Sequence, residues 1–298
     1  MLPRRLGTIV QVPEPRRLHV LAKGTELLAE NVATLEADAT TLGENRRYRG
    51  AAVLRCFAEE EAAKVLILLD LIRAGWKDQA AVKTCLSNFY SHLARGLYVK
   101  AYDGSPADLA EIRRHVDHLR QRYYLDGPMD VDWIFGNEVL TSREERLYVD
   151  YIEDEHGGRH WTGPADRSAI FDAPFSSPAQ TSPVVRLVDA MERIGLLTEP
   201  GLAATRAVWD GVLVDDTTHW SALRPLNIAV AQKLMVLLGR AYATEEEAEP
   251  MQYLVEHWIF PLTGLGLAIA DVRLADLKRA RERRHAREMG IDDYGPHR

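Results

Sequence analysis

The stretch that decides the fold is residues 46–74, RRYRGAAVLRCFAEEEAAKVLILLDLIRA. Val53, Phe57, Glu60, Lys64, Ile67 and Leu71 recur at alternating intervals of four and three, the seam of a helix that packs against other helices. Ala52, Leu54, Cys56, Leu66, Leu68 and Leu69 fill the other stripes, so the helix is apolar nearly all round and belongs at the centre of the fold. Two seam positions are charged. Glu60 and Lys64 stand one turn apart with the acid first, the order that favours a helical ion pair. A charge pair in a seam is costly to bury unless it is matched or partly solvated, which makes this pair a pointer to function.

Helical periodicity also runs over residues 16–42 before this stretch and 78–101 after it. The second carries an inward stripe of Ala81, Cys85, Asn88, His92, Gly96 and Val99, mostly small, so another helix can approach closely with His92 in its midst. Asp103-Gly104-Ser105-Pro106 is a turn leading into a helix over 107–124. Four helices joined by short turns predict an up-and-down bundle. Residues 125–144 read as loop, residues 146–162 alternate about Gly157-Gly158 as a β-hairpin, and residues 163–182 have the Pro, Ser and Ala content of a linker. Helical patterns resume over 184–197, 202–214, 219–242 and within 245–260, and a charged helix closes the chain. The expected fold is mainly all-α: an N-terminal, partly extended arm (1–15), a helical bundle with a small β-hairpin insertion (16–165) and a second helical region (166–298).

Composition sets bounds on function. With 46% hydrophobic and 27% charged residues in 298, the chain is an ordinary globular protein with room for a large core. No signal peptide and no apolar run of membrane-spanning length is visible, so a cytoplasmic location is expected. Cys56 and Cys85 fall in helical apolar patterns and read as reduced core residues. The net charge of -7 argues against nucleic-acid binding by the surface at large but leaves room for a local basic site. The C-terminal basic cluster, from Lys278 to Arg287, is interleaved with Asp276, Glu282 and Glu288 and reads as a solvated helix. Asp154, Glu155 and His156 lack a metal-ligand spacing, so neither metal nor cofactor is expected. Tyrosines and tryptophans are scattered, without the pattern of a stacking platform.

Three segments in this order carry a family resemblance: AEEEAAKVLILL at 58–69, FYSHLARGLYVK at 89–100, and ERLYVDYIEDEHGGRHWTGP at 145–164. Together they resemble the AbiV family of bacterial abortive-infection proteins, which is similar to the HEPN superfamily of helical domains, many of them RNases of phage-defence and toxin systems. The resemblance implies a HEPN-like bundle. It places the family's acid and lysine on Glu60 and Lys64, its histidine on His92, the following basic residue on Arg95 or, less well, Lys100, and the hairpin signature on Leu147, Tyr148, Val149 and Asp150. HEPN RNases carry an arginine a short interval before a histidine on the last bundle helix. No arginine stands so before His92; the spacing recurs at Arg113 and His118 and at Arg279 and His285. Five residues apart on an ideal helix, Arg113 and His118 turn away from each other.

Metal-independent RNA cleavage needs a group to take the ribose 2′-hydroxyl proton and cations to stabilise the charged phosphorane. The expected catalytic set is His92 as acid/base, Lys64 and Arg95 as phosphate contacts and Glu60 as the orienting group. Arg113, His118 and Lys100 are the candidate RNA-binding residues. The resemblance implies phage defence by arrest of translation or growth, an endoribonuclease activity with RNA as partner, and a homodimer. The competing expectation is a non-catalytic module that binds a phage-encoded trigger or another protein through its polar seam, the charge pair fixing helix register.

Overall fold

A computed structural model describes residues 5–124, 137–153, 158–164 and 181–273, with positions 276 and 279. The apolar stretch forms helix α2 (Tyr48–Ala74), stopped where Gly75 takes a φ of 73° and donates its N–H to the Leu71 carbonyl. From Ala62 to Arg73 every residue except Lys64 is buried. Around it pack α1 (Glu14–Glu44), α3 (Gln79–Asn88), α4 (His92–Ala101), α7 (Pro183–Arg193) and α8 (Glu199–Trp209). Outside these lie α5 (Leu109–Leu119), α6 (Glu138–Glu145), α9 (Trp220–Leu237) and α10 (Glu245–His257). The molecule is an all-α, HEPN-like bundle with few strands, as expected. Among the described residues one hydrophobic core runs from Ile9 to Leu267, so the helices on either side of residue 165 share it.

Several local expectations are corrected. The N-terminal arm is not extended: Leu6–Gln11 is a 3-10 turn that buries Ile9, and α1 begins at Glu14. The helix expected over 78–101 is two helices, because Ser91 caps α4 by accepting from the Ala94 amide, and His92 becomes its first residue. The helix expected to 124 ends at Leu119, and Gln121–Tyr124 forms strand β1, paired in parallel with β4 (Ala270–Arg273) far along the chain. Part of the stretch read as loop is α6, capped by Asn137, whose amide also donates to the Leu119 and Gln121 carbonyls. The hairpin is present as β2 (Asp150–Glu153) and β3 (Arg159–Thr162), with Tyr151 opposite Trp161. Its Gly157 turn, the linker from 165 to 180 and nearly all of the closing charged helix lie outside the described residues.

Two features set the positions of helices around α2. The first is a buried ion pair. The Asp70 carboxylate accepts from Arg73 Nη1 (3.1 Å), the Tyr98 hydroxyl (2.9 Å) and the Leu262 amide (2.7 Å). Arg73 Nη2 donates to the Ile259 carbonyl (2.9 Å), and its guanidinium lies 4.0 Å from the Trp209 ring centre and 4.6 Å from that of Trp258. Burial pushes the Tyr98 hydroxyl far above its ordinary pKa, so it stays a donor. Burial also raises the Asp70 carboxyl, and the three donors act against that shift. The second feature is a close approach of α4 and α6: a Cβ on Gly96 would lie 2.3 Å from Val139 Cγ1.

Asp70→Ala strands the Arg73 charge inside the core, and urea unfolding is expected to show a loss of about 3–5 kcal/mol, part of it recovered when Arg73→Met is added. Gly96→Ala overpacks the α4–α6 contact and is expected to lose about 1–3 kcal/mol in the same assay, with most of it restored by adding Val139→Ala.

Candidate functional site

Glu60 sits in the first half of α2, nearly buried, with its side chain 8% exposed. Three cationic or titratable side chains reach it. Arg143, from α6, donates through Nε to Oε1 (2.7 Å). Arg95 places Nη2 3.2 Å from Oε2, and His92 places Nδ1 2.9 Å from the same oxygen. Arg95 Nη2 is also 2.8 Å from His92 Nδ1. The Oε2, Nδ1 and Nη2 atoms therefore form a triangle in which one nitrogen contact must go without a proton between the nitrogens. A carboxylate facing an imidazole lone pair is repulsive, so we assign the Nδ1 proton to the Glu60 side, with the Arg95 guanidinium as a second cationic group in ion-pair contact with the same oxygen. That tautomer leaves His92 Nε2 as a lone-pair acceptor, with no hydrogen-bond partner among the described residues, on a side chain 49% exposed.

The fold explains this convergence. Glu60 faces α4 because the seam of α2 does, and Ser91 starts α4 so that His92 and Arg95 lie on its first turn, beside the Glu60 carboxylate. Asn137 and the Gly96–Val139 approach hold α6 so that Arg143 closes the cluster from the other side. The first turn of α4 adds unsatisfied amides and the positive end of the helix dipole near His92. The site thus combines a carboxylate, an imidazole fixed in one tautomer, two guanidiniums and a helix N-terminus.

Of the expected catalytic residues, Glu60, His92 and Arg95 come together. Lys64 does not pair with Glu60. Its ammonium pairs instead with Glu61 and lies 5.6 Å from the Phe89 ring centre. The reason is competition: two guanidiniums and the imidazole already occupy both Glu60 oxygens, and Glu61 is the next carboxylate within a turn. The RNA-binding candidates are scattered. Arg113 bonds Asp216 (2.9 Å) and the Gly264 carbonyl (3.4 Å), His118 is exposed on α5, and Lys100 pairs with Asp103 (3.1 Å). None of these three contacts the Glu60 cluster through a described hydrogen bond or ion pair. Of the second such spacing, Arg279 has an ion contact to Asp276 at 3.6 Å, and His285 lies outside the described residues.

Arg143 is the site residue that sequence reasoning missed. Its signal was indirect: Asn137 is a good N-cap, and a seam carboxylate that must be buried needs more than one donor. Nearby on α2, burial raises the Glu59 carboxyl, with the Arg146 charge opposing it, and raises the Cys56 thiol. Burial pushes the Cys85 thiol up to about 12. Neither cysteine has the environment of a nucleophile; Cys85 is a core residue as expected, whereas Cys56 is only half-buried. Among the described residues no group of three His, Cys, Asp or Glu side chains is placed to share a metal ion, and no helix is long and apolar enough to cross a membrane.

No curated protein and no solved structure matches the chain. The family model for AbiV, of the HEPN class, matches residues 20–176, just over half the chain. That match takes in most of α1, all of α2 to α6 and the hairpin, and with them every residue of the Glu60 cluster. The chain therefore belongs to the AbiV family of HEPN-like proteins, a family of phage defence by abortive infection.

Proposed function

We propose that this protein arrests translation or growth in infected cells by metal-independent cleavage of RNA at the Glu60, His92, Arg95 and Arg143 cluster. The observation that carries the reading is His92: its Nδ1 is fixed against a buried carboxylate while its Nε2 is left open on a half-exposed ring. This is the arrangement that orients an imidazole as a base. Nε2 takes the proton of a ribose 2′-hydroxyl, the 2′-oxygen attacks the adjacent phosphorus, and the bond from phosphorus to the 5′-oxygen breaks. The products are a 2′,3′-cyclic phosphate and a 5′-hydroxyl, the latter taking up a proton. Arg95, Arg143 and the N-terminus of α4 offset the charge that builds on the phosphorane. Glu60 orients the imidazole and stabilises it once protonated. Lys64 stands outside this scheme because it is engaged by Glu61. The protein works in the cytoplasm as a homodimer, by analogy with HEPN domains that build one cleft between two bundles, and the second copy supplies a second His92 as the acid.

The second reading, a non-catalytic module for a phage-encoded protein, draws on the hairpin. Tyr148, Val149, Tyr151 and Trp161 are all exposed, and the Tyr151 and Trp161 rings lie 5.2 Å apart, an apolar surface suited to a protein partner.

Incubating the purified chain and its variants with total cellular RNA, beside growth assays in cells, separates the two. Under the RNase reading His92→Ala abolishes cleavage and growth arrest, Arg143→Ala lowers cleavage by at least about tenfold, and both variants melt within a few degrees of the parent. If no RNA is cut, and His92→Ala still arrests growth while Trp161→Ala does not, the interaction reading stands instead.

A further inference from the structure

A cavity of about 300 Å³ opens on a different part of the molecule, and none of its lining residues belongs to the Glu60 cluster. It lies between the end of α4, the turn before α5, the start of α9 and the end of α10, with Tyr102, Pro106, Trp220, Glu256 and His257 among its walls. Its shape is held from both sides. The Trp220 amide donates to the Ala107 carbonyl (2.8 Å), and Asp108 and His219 form an antiparallel bridge. Tyr102, at its base, is 5% exposed, and its hydroxyl is buried without a partner, within electrostatic reach of Asp70 and Arg73.

The lining specifies a chemistry. Glu256 is the one carboxylate in the lining, and desolvation lowers the pKa of the neighbouring His257 from its ordinary value. Phosphates and carboxylates are therefore poor ligands. Glu256 receives one bond at Oε1, from Gln252 (3.1 Å), so the carboxylate has accepting capacity left. His219 offers the opposite polarity. Its Nδ1 lies 3.1 Å from the Ser221 backbone N–H, which can only donate, so the neutral ring carries its proton on Nε2 and is a donor there. The Trp220 indole supplies a flat apolar wall and the Pro106 and Pro183 rings further apolar surface, beside the Tyr102 and Ser105 side chains. The volume is at the small end for ligand pockets.

We propose that this cavity binds a guanine base. Guanine is flat, uncharged and of the right size, and two adjacent N–H donors, N1–H and N2–H, lie beside the O6 acceptor. The donors match Glu256 and the acceptor matches His219, while the plane of the base covers Trp220. Adenine carries one exocyclic amine between ring acceptors, which would face the carboxylate with a lone pair. The base comes either from free guanosine or from single-stranded RNA. The proposal does not depend on the cleavage reading.

Calorimetric titration of the full chain tests it, with guanosine, adenosine, a uridine pentamer and the same pentamer with a central guanosine. Saturable guanosine binding is expected, with adenosine weaker by at least about tenfold. Glu256→Gln should weaken guanosine by at least about tenfold, and Ser105→Trp, at the exposed rim, should abolish binding without lowering the melting temperature. His92→Ala should bind guanosine as the parent does, which separates a failure here from a failure of RNA cleavage. Preference for guanosine alone identifies the free nucleoside, and tighter binding of the guanosine-containing pentamer identifies RNA; both support the site. Absence of saturable binding by either guanine ligand, equal binding of adenosine, or undiminished binding in both cavity variants overturns it.

Discussion

A carboxylate and a guanidinium sealed from water hold this molecule's parts in register. Asp70 and Arg73 belong to α2, but almost every group that satisfies them comes from elsewhere: Tyr98 from α4, the Leu262 amide and Ile259 carbonyl from the segment before β4, and the faces of Trp209 and Trp258 from α8 and the end of α10. Taking two charges out of water is expensive, and only well-aligned donors and acceptors offset the cost. Such a pair tolerates few arrangements of its neighbours. Arg73 Nε and the Trp209 and Trp258 indole nitrogens are buried without protein partners, so the cluster specifies position more than it stabilises.

The same two helices carry both polar clusters. Glu60 and Asp70 are ten residues apart on α2, about 15 Å along its axis. Their partners on α4 follow in matching order, His92 and Arg95 near its start and Tyr98 a turn further on. One cluster is closed and the other half open to solvent. The closed one fixes the distance and rotation between α2 and α4, so His92 and Glu60 meet across a rigid contact and the imidazole does not have to be trapped by a moving loop. Arg143 alone reaches the site from the periphery, through a short helix whose seat depends on Asn137 and on the absence of a side chain at Gly96.

What could be read from the sequence follows from range and competition. The seam of α2 was legible because its period persists over many turns, and Glu60 stood out because a carboxylate is rare in such a seam. That Glu60, His92 and Arg95 converge was legible through the family motif and the small residues on the α4 side. The Glu60–Lys64 pair was a local inference, and it failed because side chains distant in sequence outbid a neighbour on the same helix. The break between α3 and α4 was hidden because the apolar period stays in phase across it, although Ser91 ahead of His92 is an N-cap signal. Nothing local announces β1 and β4: each is four residues long and its partner lies about 150 positions away, 121 facing 270. Arg143 was out of reach for the same reason, since no spacing rule connects it to Glu60.

The parallel pairing of β1 with β4 has a bearing on how the chain divides. The portion that matches the family ends at residue 176, yet β1 lies within it and β4 nearly a hundred residues beyond it. Thr25 of α1 likewise donates to the Leu197 carbonyl in the core. A shortened protein ending at the family boundary would retain Asp70 and Arg73 while losing the amide, the carbonyl and both indoles that surround them. Homology here marks out a unit of descent, while the contacts that enclose Asp70 and Arg73 extend well past its end.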